Sequence, residues 1–197
     1  MKVVVAALPG SGKTTLMKML QERMPNIVIV NVGSAIAKMA MKELKIKSRD
    51  ELRKVLTVRQ QRHFQEAVAR KIARMGARDV VIDTHTAVKT PYGFFPGMSE
   101  TPVHIVKPDA IVVLEFSPRD IIERRRKDKT RKRDDDTEQL LEEHQDASRY
   151  FAFGAGQHAD AVVKVINLRY RQRRPFEHTM RAADEIVKLF ENQGKSS

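Results

Sequence analysis

A chain of 197 residues, 41% hydrophobic and 31% charged, suits one globular domain and excludes wholesale disorder, because that apolar content is enough to offset chain entropy. The lack of cysteine excludes a disulfide framework and a thiolate metal site, and no apolar run approaches the roughly 20 residues that cross a bilayer. A formal net charge of +12, from 37 Lys and Arg against 25 Asp and Glu, points to anionic partners: nucleotide phosphates, RNA or an acidic membrane surface. With no leader-like segment ahead of the first strand, the expectation is a cytoplasmic protein without a membrane partner.

Lys2 to Leu8 (KVVVAAL) reads as a β-branched apolar strand, and Gly12 to Met24 follows with helical spacing through Leu16, Met19, Leu20 and Met24. Ile27 to Val32 is a second strand, and after Gly33 and Ser34 the stretch Ala35 to Leu44 reads as a second helix. Ser48 with Glu51 and Thr57 with Gln60 are capping-box patterns, predicting a short helix and then a longer one ending near Gly76. Val80 to Asp83 is a third strand, and Thr84 to Ser99, with Pro91, Gly93, Pro96 and Gly97, reads as a long functional loop. Ala110 to Phe116 is a fourth strand, and Ser117 with Pro118 starts a helix that runs into a very basic segment. Thr137 to about Gly156 is predicted helical, Ala161 to Asn167 a fifth strand and Phe176 to Phe190 a last helix, with Asn192 to Ser197 a frayed tail. Five apolar strands separated by helices imply an α/β, three-layer fold around a parallel sheet, with ligands at the carboxyl ends of the strands.

Ala7-Leu8-Pro9-Gly10-Ser11-Gly12-Lys13-Thr14 lies between the first strand and the first helix, the context in which a Walker A phosphate loop is credible. Gly10 and Gly12 allow the backbone N–H groups to turn inward, and the helix behind them adds the positive end of its dipole. Lys13 is expected to bridge the β and γ phosphates, with Thr15 completing the loop. The Thr14 hydroxyl is expected to bind Mg²⁺, which takes oxygen donors together with phosphates and water. The bland alternative, a tight strand-to-helix turn, does not call for this combination of residues.

The segment Asp83-Thr84-His85-Thr86-Ala87-Val88-Lys89-Thr90-Pro91-Tyr92-Gly93-Phe94-Phe95-Pro96-Gly97 closely resembles a stretch of the archaeal adenylate kinases, a family of P-loop nucleoside monophosphate kinases. Asn31-Val32-Gly33-Ser34 resembles their NxG turn, Arg49 to Lys54 their RDxxRK helix, and Thr130-Arg131-Lys132-Arg133-Asp134 their lid. The likeness continues through Glu143-His144-Gln145 and Arg149 and so covers nearly the whole chain; Ala7, Phe94, Met98 and Ser99 depart from it. The resemblance implies one P-loop kinase domain with a five-stranded core, an AMP-binding helical insertion at about 33 to 60 and a small lid at about 127 to 137. It also implies reversible phosphoryl transfer from MgATP to AMP, and a homotrimer.

Such transfer needs positioning and charge neutralisation more than covalent chemistry, a task suited to the planar, always-charged guanidinium. Arg119 to Arg133 holds nine basic residues among fifteen, most of which must be solvated helix face. Arg124, Arg131 and Arg133 match family positions and are singled out, with Arg149 returning from the next helix. Asp83 is expected to hold Mg²⁺ through water or to orient the loop, with helix capping as the plainer reading. For AMP the candidates are Gly33, Ser34, Arg53 and Lys89, with surface ion pairing as the alternative for the two cations. His85, beside the AMP site, reads more as a structural hydrogen-bonding group than as a proton carrier. A kinase for UMP or CMP, and an RNA- or ribosome-associated P-loop ATPase, stay open as alternatives.

Overall fold

The computed structural model describes residues 1–45, 56–76, 79–90, 92–127 and 137–193. Its main sheet is parallel throughout, in the order β2 (Val28–Asn31), β3 (Val80–Thr84), β1 (Lys2–Ala6), β6 (Ala110–Phe116), β7 (Val162–Leu168). Alternation along β1 explains the layering. Val3 and Val5 face one core, with Leu16, Leu20, Ala183 and Ile186, whereas Val4 faces the other, with Ala40, Phe64, Val68 and Ile72. All three valines are fully buried, as a strand covered on both faces requires.

One face carries α1 (Lys13–Arg23) and α7 (Glu177–Gln193), which pack on each other; the other carries α2 (Val32–Leu44), α3 (Val58–Ala73) and α4 (Glu100–Val106). From α5 (Pro118–Lys127) the described chain resumes at Thr137, and α6 (Glu138–Ala159) crosses the strand ends, giving Leu141 to the first core and Ala152 and Ala155 to the second. The expected capping box at Thr57 and Gln60 is present, and the structure adds a cap at Thr137, whose hydroxyl accepts from Leu140 N. The Ser48–Glu51 box lies outside the described residues.

Four expectations need correction. The helix expected from Ala35 begins at Val32, because the Asn31 side chain accepts from Ser34 N and caps α2 there, so Gly33 and Ser34 are its first turn and not a connecting loop. The segment from Thr84 to Ser99 is not all loop: β4 (Ala87–Thr90) and β5 (Gly93–Pro96) pair as an antiparallel hairpin, with Gly93 supplying a φ of 120° at the turn. Helix α4 was not expected at all; seven residues with Pro102 among them are too few to show a period. The last helix continues through Gln193, so the tail begins later than Asn192.

The hairpin's base is closed tightly. Gly97 N donates to Thr86 O at 2.8 Å, and a methyl group on residue 97 would come within 2.0 Å of the His85 carbonyl oxygen.

Candidate active site

The phosphate loop leaves β1 with Ala7 and Leu8 buried and then turns through Gly10 and Gly12, at φ 89° and 95°. Those are left-handed conformations that cost glycine nothing. Ala7 is not among the positive-φ residues, so alanine at the loop's first position is compatible with its shape. Gly12 caps α1 through its backbone, and Thr14 and Thr15 are exposed in the helix's first turn. Ser11 Oγ is buried without a hydrogen-bond partner in the loop.

Lys13 folds back over the end of β3. Its ammonium lies 3.0 Å from Asp83 Oδ1 and donates to Thr84 O. Burial pushes its pKa down, and the Asp83 charge opposes that shift. Asp83 sits opposite Val5 of β1 and Asn31 of β2, so the sheet register brings these three strand ends together. Asn31 joins two parts of the site: its amide N–H donates to Asp83 Oδ2 while its oxygen caps α2 at Ser34. Asp83 is therefore held by a lysine and an asparagine, not placed as a helix cap.

His85 Nδ1 is 2.6 Å from the carbonyl oxygen of Ala7 and 3.3 Å from Lys13 Nζ. The shorter contact assigns the proton to Nδ1, donating to Ala7 O, and leaves the lysine contact electrostatically poor. The imidazole thus ties β3's exit to the phosphate loop. Lys89 is exposed on β4, opposite Phe94. Phe94 itself lies over His144 with ring centroids 5.0 Å apart, and the His144 ring approaches Ala87 O at 3.2 Å. Thr86 Oγ1 donates to Ser148 O, so α6 holds the hairpin from behind.

The arginines arrive from the other side. Arg124 on α5 donates to Ser11 O at 3.0 Å, lies 4.8 Å above the Phe116 ring, and places Nη2 3.2 Å from His178 Nδ1. His178 Nε2–H donates to Tyr170 O at 2.8 Å, which leaves Nδ1 as the acceptor for Arg124. Arg149 on α6 grips Glu115 with two parallel bonds, Nε to Oε1 at 2.7 Å and Nη2 to Oε2 at 2.6 Å. The hydrogen bonds to Glu115 raise its pKa, against a smaller opposing effect of burial. Arg53, Arg131 and Arg133 lie outside the described residues.

Three participants escaped the sequence reading. Glu115 is 1% exposed at the end of a buried strand, and a lone acid inside AIVVLEF was the available signal. Arg125 donates from Nε and Nη2 to Pro9 O, at 3.0 and 2.9 Å, but sits in a run of four cations that nothing in sequence distinguishes. His178 is far away along the chain and carries no pattern.

A family model described as an AAA domain matches residues 6–142. An adenylate kinase of Pyrobaculum aerophilum is 43% identical to this chain, over 96% of each. One of Pyrococcus horikoshii is 34% identical over 96% of this chain and 94% of its own. The chain belongs to the adenylate kinase family. Among solved structures, a shikimate kinase from Bacteroides thetaiotaomicron superposes with a TM-score of 0.60 at 16% identity, covering 97% of this chain and 98% of the other. That likeness concerns the fold alone. Within this adenylate kinase family member, the phosphate loop, Asp83 and two arginines converge at the carboxyl ends of the parallel strands, where open α/β sheets bind ligands.

Proposed function

We propose that this chain catalyses the reversible transfer of a phosphoryl group from MgATP to AMP, giving two ADP. The observation that supports the reading is that Lys13 and Arg124 meet a glycine-turned loop at the strand ends while Arg149 is held by Glu115 at the end of β6, in a chain of this family.

In this reading, residues 7 to 15 receive the ATP phosphates and Lys13 exchanges its bond to Thr84 O for phosphate oxygens. The Asp83 charge opposes the downward pull of burial on the Lys13 ammonium. Arg124 and Arg149, with Arg131 and Arg133 of the lid at about 127 to 137, neutralise charge on the oxygens of the group in flight. Lid closure excludes water and suppresses hydrolysis. Gly33 and Ser34 at the start of α2 and Arg53, in the insertion at about 33 to 60, form the AMP side of the cleft together with Lys89 of β4. His85, at the exit of β3, supports that side and ties it to the phosphate loop.

The exposed Thr14 hydroxyl and the Asp83 carboxylate, whose Oδ1 lies 3.0 Å from the Lys13 ammonium, are hard oxygen donors that suit Mg²⁺. Thr14 and Asp83 would hold the ion, which would supply neutralisation of the phosphate charge. We extend the reading, on family resemblance, to a homotrimer acting in the cytoplasm; mass measurement by light scattering tests the trimer.

The deciding assay follows ADP formation from ATP and Mg²⁺ with AMP, UMP, CMP or GMP supplied separately, alongside no-acceptor and RNA controls. Turnover with AMP is expected. Turnover confined to another acceptor moves the specificity, and RNA-stimulated hydrolysis without acceptor rejects the kinase. Arg131→Ala is expected to lower the rate constant more than it weakens AMP binding, and an unchanged rate constant removes Arg131 from the lid's role.

A further inference from the structure

Away from the phosphate loop, Glu100 and His104 lie one helical turn apart on α4, and His158 meets them from the last turn of α6. The three side chains are exposed, and one ligand atom from each falls within 4.8 Å of the others. The two imidazoles meet edge to face, with centroids 5.8 Å apart and planes at 60°. This is the one such group of His, Asp and Glu among the described residues.

We propose that Glu100, His104 and His158 bind a divalent transition-metal cation, with zinc as the best fit, and that the ion clamps α4 to α6. Three observations carry the assignment. The first is the donor set: two imidazoles and a carboxylate suit zinc, whereas Mg²⁺ favours an all-oxygen shell.

The second is the orientation of His104. Its Nδ1 lies 3.1 Å from the Glu100 carbonyl oxygen, so Nδ1–H donates there and the Nε2 lone pair is directed outward. That outer hydrogen bond fixes ring and tautomer in the way characteristic of metal-bound histidine. The third is electrostatic: both histidines occupy the last turn of their helices, where the dipoles' negative ends favour a cation.

Tetrahedral zinc with bonds of about 2.0–2.1 Å needs its ligand atoms about 3.3 Å apart. Rotation of exposed side chains covers the remaining distance without moving either helix. Three protein ligands leave a fourth position for water. The helices already touch through their apolar sides, so the ion adds a cross-link to an existing contact.

The location separates this site from the chemistry. His158 precedes β7, and His104 precedes β6, by a few residues, placing both at the amino ends of the parallel strands. The phosphate loop is at the carboxyl ends.

The test uses the untagged full-length chain, freed of metal with a chelator and titrated calorimetrically with zinc in excess Mg²⁺, with Co²⁺ as a spectroscopic substitute. One zinc per chain is expected, together with the visible absorption of tetrahedral cobalt. At zinc about tenfold above its Kd, Tm should rise by about 3–6 °C. His104→Ala and His158→Ala should each weaken binding about tenfold or more, and His63→Ala, at an exposed histidine elsewhere, should not.

Glu100→Gln and His158→Gln, which preserve size, give the same reading if an alanine variant fails to fold. Wild-type affinity in the His104→Ala/His158→Ala double variant would overturn the site, as would failure of the wild type to bind zinc at all.

Discussion

Two pairs of cations reach the carboxyl ends of the strands, and they are held in opposite ways. Lys13 and Arg149 rest on carboxylates, Asp83 of β3 and Glu115 of β6. Arg124 and Arg125 rest on main-chain carbonyls of the phosphate loop itself, Ser11 O and Pro9 O. The acids are fixed by sheet register, so they determine where the first pair stands, and they cancel its charge until phosphate competes. The carbonyls orient the second pair, whose position therefore follows the loop. The site thus combines an inner pair positioned by the sheet with an outer pair positioned by the loop.

The largest expected effect comes from the inner pair. Lys13→Ala should reduce kcat/KM about 10³-fold while the circular dichroism spectrum is unchanged; normal turnover would remove the phosphate-loop assignment.

Next come the two arginines, which should separate cleanly. Arg124→Ala should cost about 10²-fold in kcat with little loss of stability, since it abandons only neutral acceptors. Arg149→Ala should cost a similar factor and also about 2 kcal/mol, by leaving buried Glu115 with little more than Arg169, 3.6 Å away. Adding Glu115→Gln to Arg149→Ala should restore the urea midpoint and not the rate. Equal stability of the two single variants would break the distinction between acid-held and carbonyl-held cations.

A smaller effect is pH dependent. His178 is buried and its pKa is lowered mainly by that burial, with the Arg124 charge adding to it. The unfolded chain therefore takes up a proton at higher pH than the folded one. The stability His178 confers is complete above its ordinary value of 6.5 and is lost as pH falls through the lowered folded value. Protonation would also set an Nδ1–H against the Arg124 guanidinium. Urea midpoints measured between about pH 5 and pH 8 should decline on the acid side, and His178→Gln should flatten that decline.

The smallest concerns the link between the pairs and the acceptor side. Asn31→Ala removes both the α2 cap and a donor to Asp83, and should cost about 1 kcal/mol and raise KM for AMP more than for ATP. Equal changes in both KM values would confine Asn31 to a capping role.

Much of this was legible in the sequence because the signals were local. The phosphate loop is a contiguous motif between a β-branched strand and a helix, and the Thr57 cap is read within four residues. The five strands were visible because strands buried on both faces are nearly continuous apolar runs. What escaped depends on register and on long-range packing. Nothing local says that Glu115 meets Arg149 across 34 residues, or that His178 accepts from Arg124 across 54. Asp83 was picked out, but its pairing with Asn31 follows from β2 lying beside β3, which no pattern encodes. The β4–β5 hairpin was hidden for a different reason, since prolines and glycines that signal a loop also punctuate a short two-stranded ribbon.

The tight closure at Gly97 makes residues 88 to 95 a cassette. With the two ends pinned to each other and Thr86 pinned to α6, the exposed tip around Tyr92 is mechanically insulated from the phosphate loop. A side chain at position 97 would push on the His85 backbone and, through its ring, on Ala7, so a change at the hairpin's base would be felt in the phosphate loop.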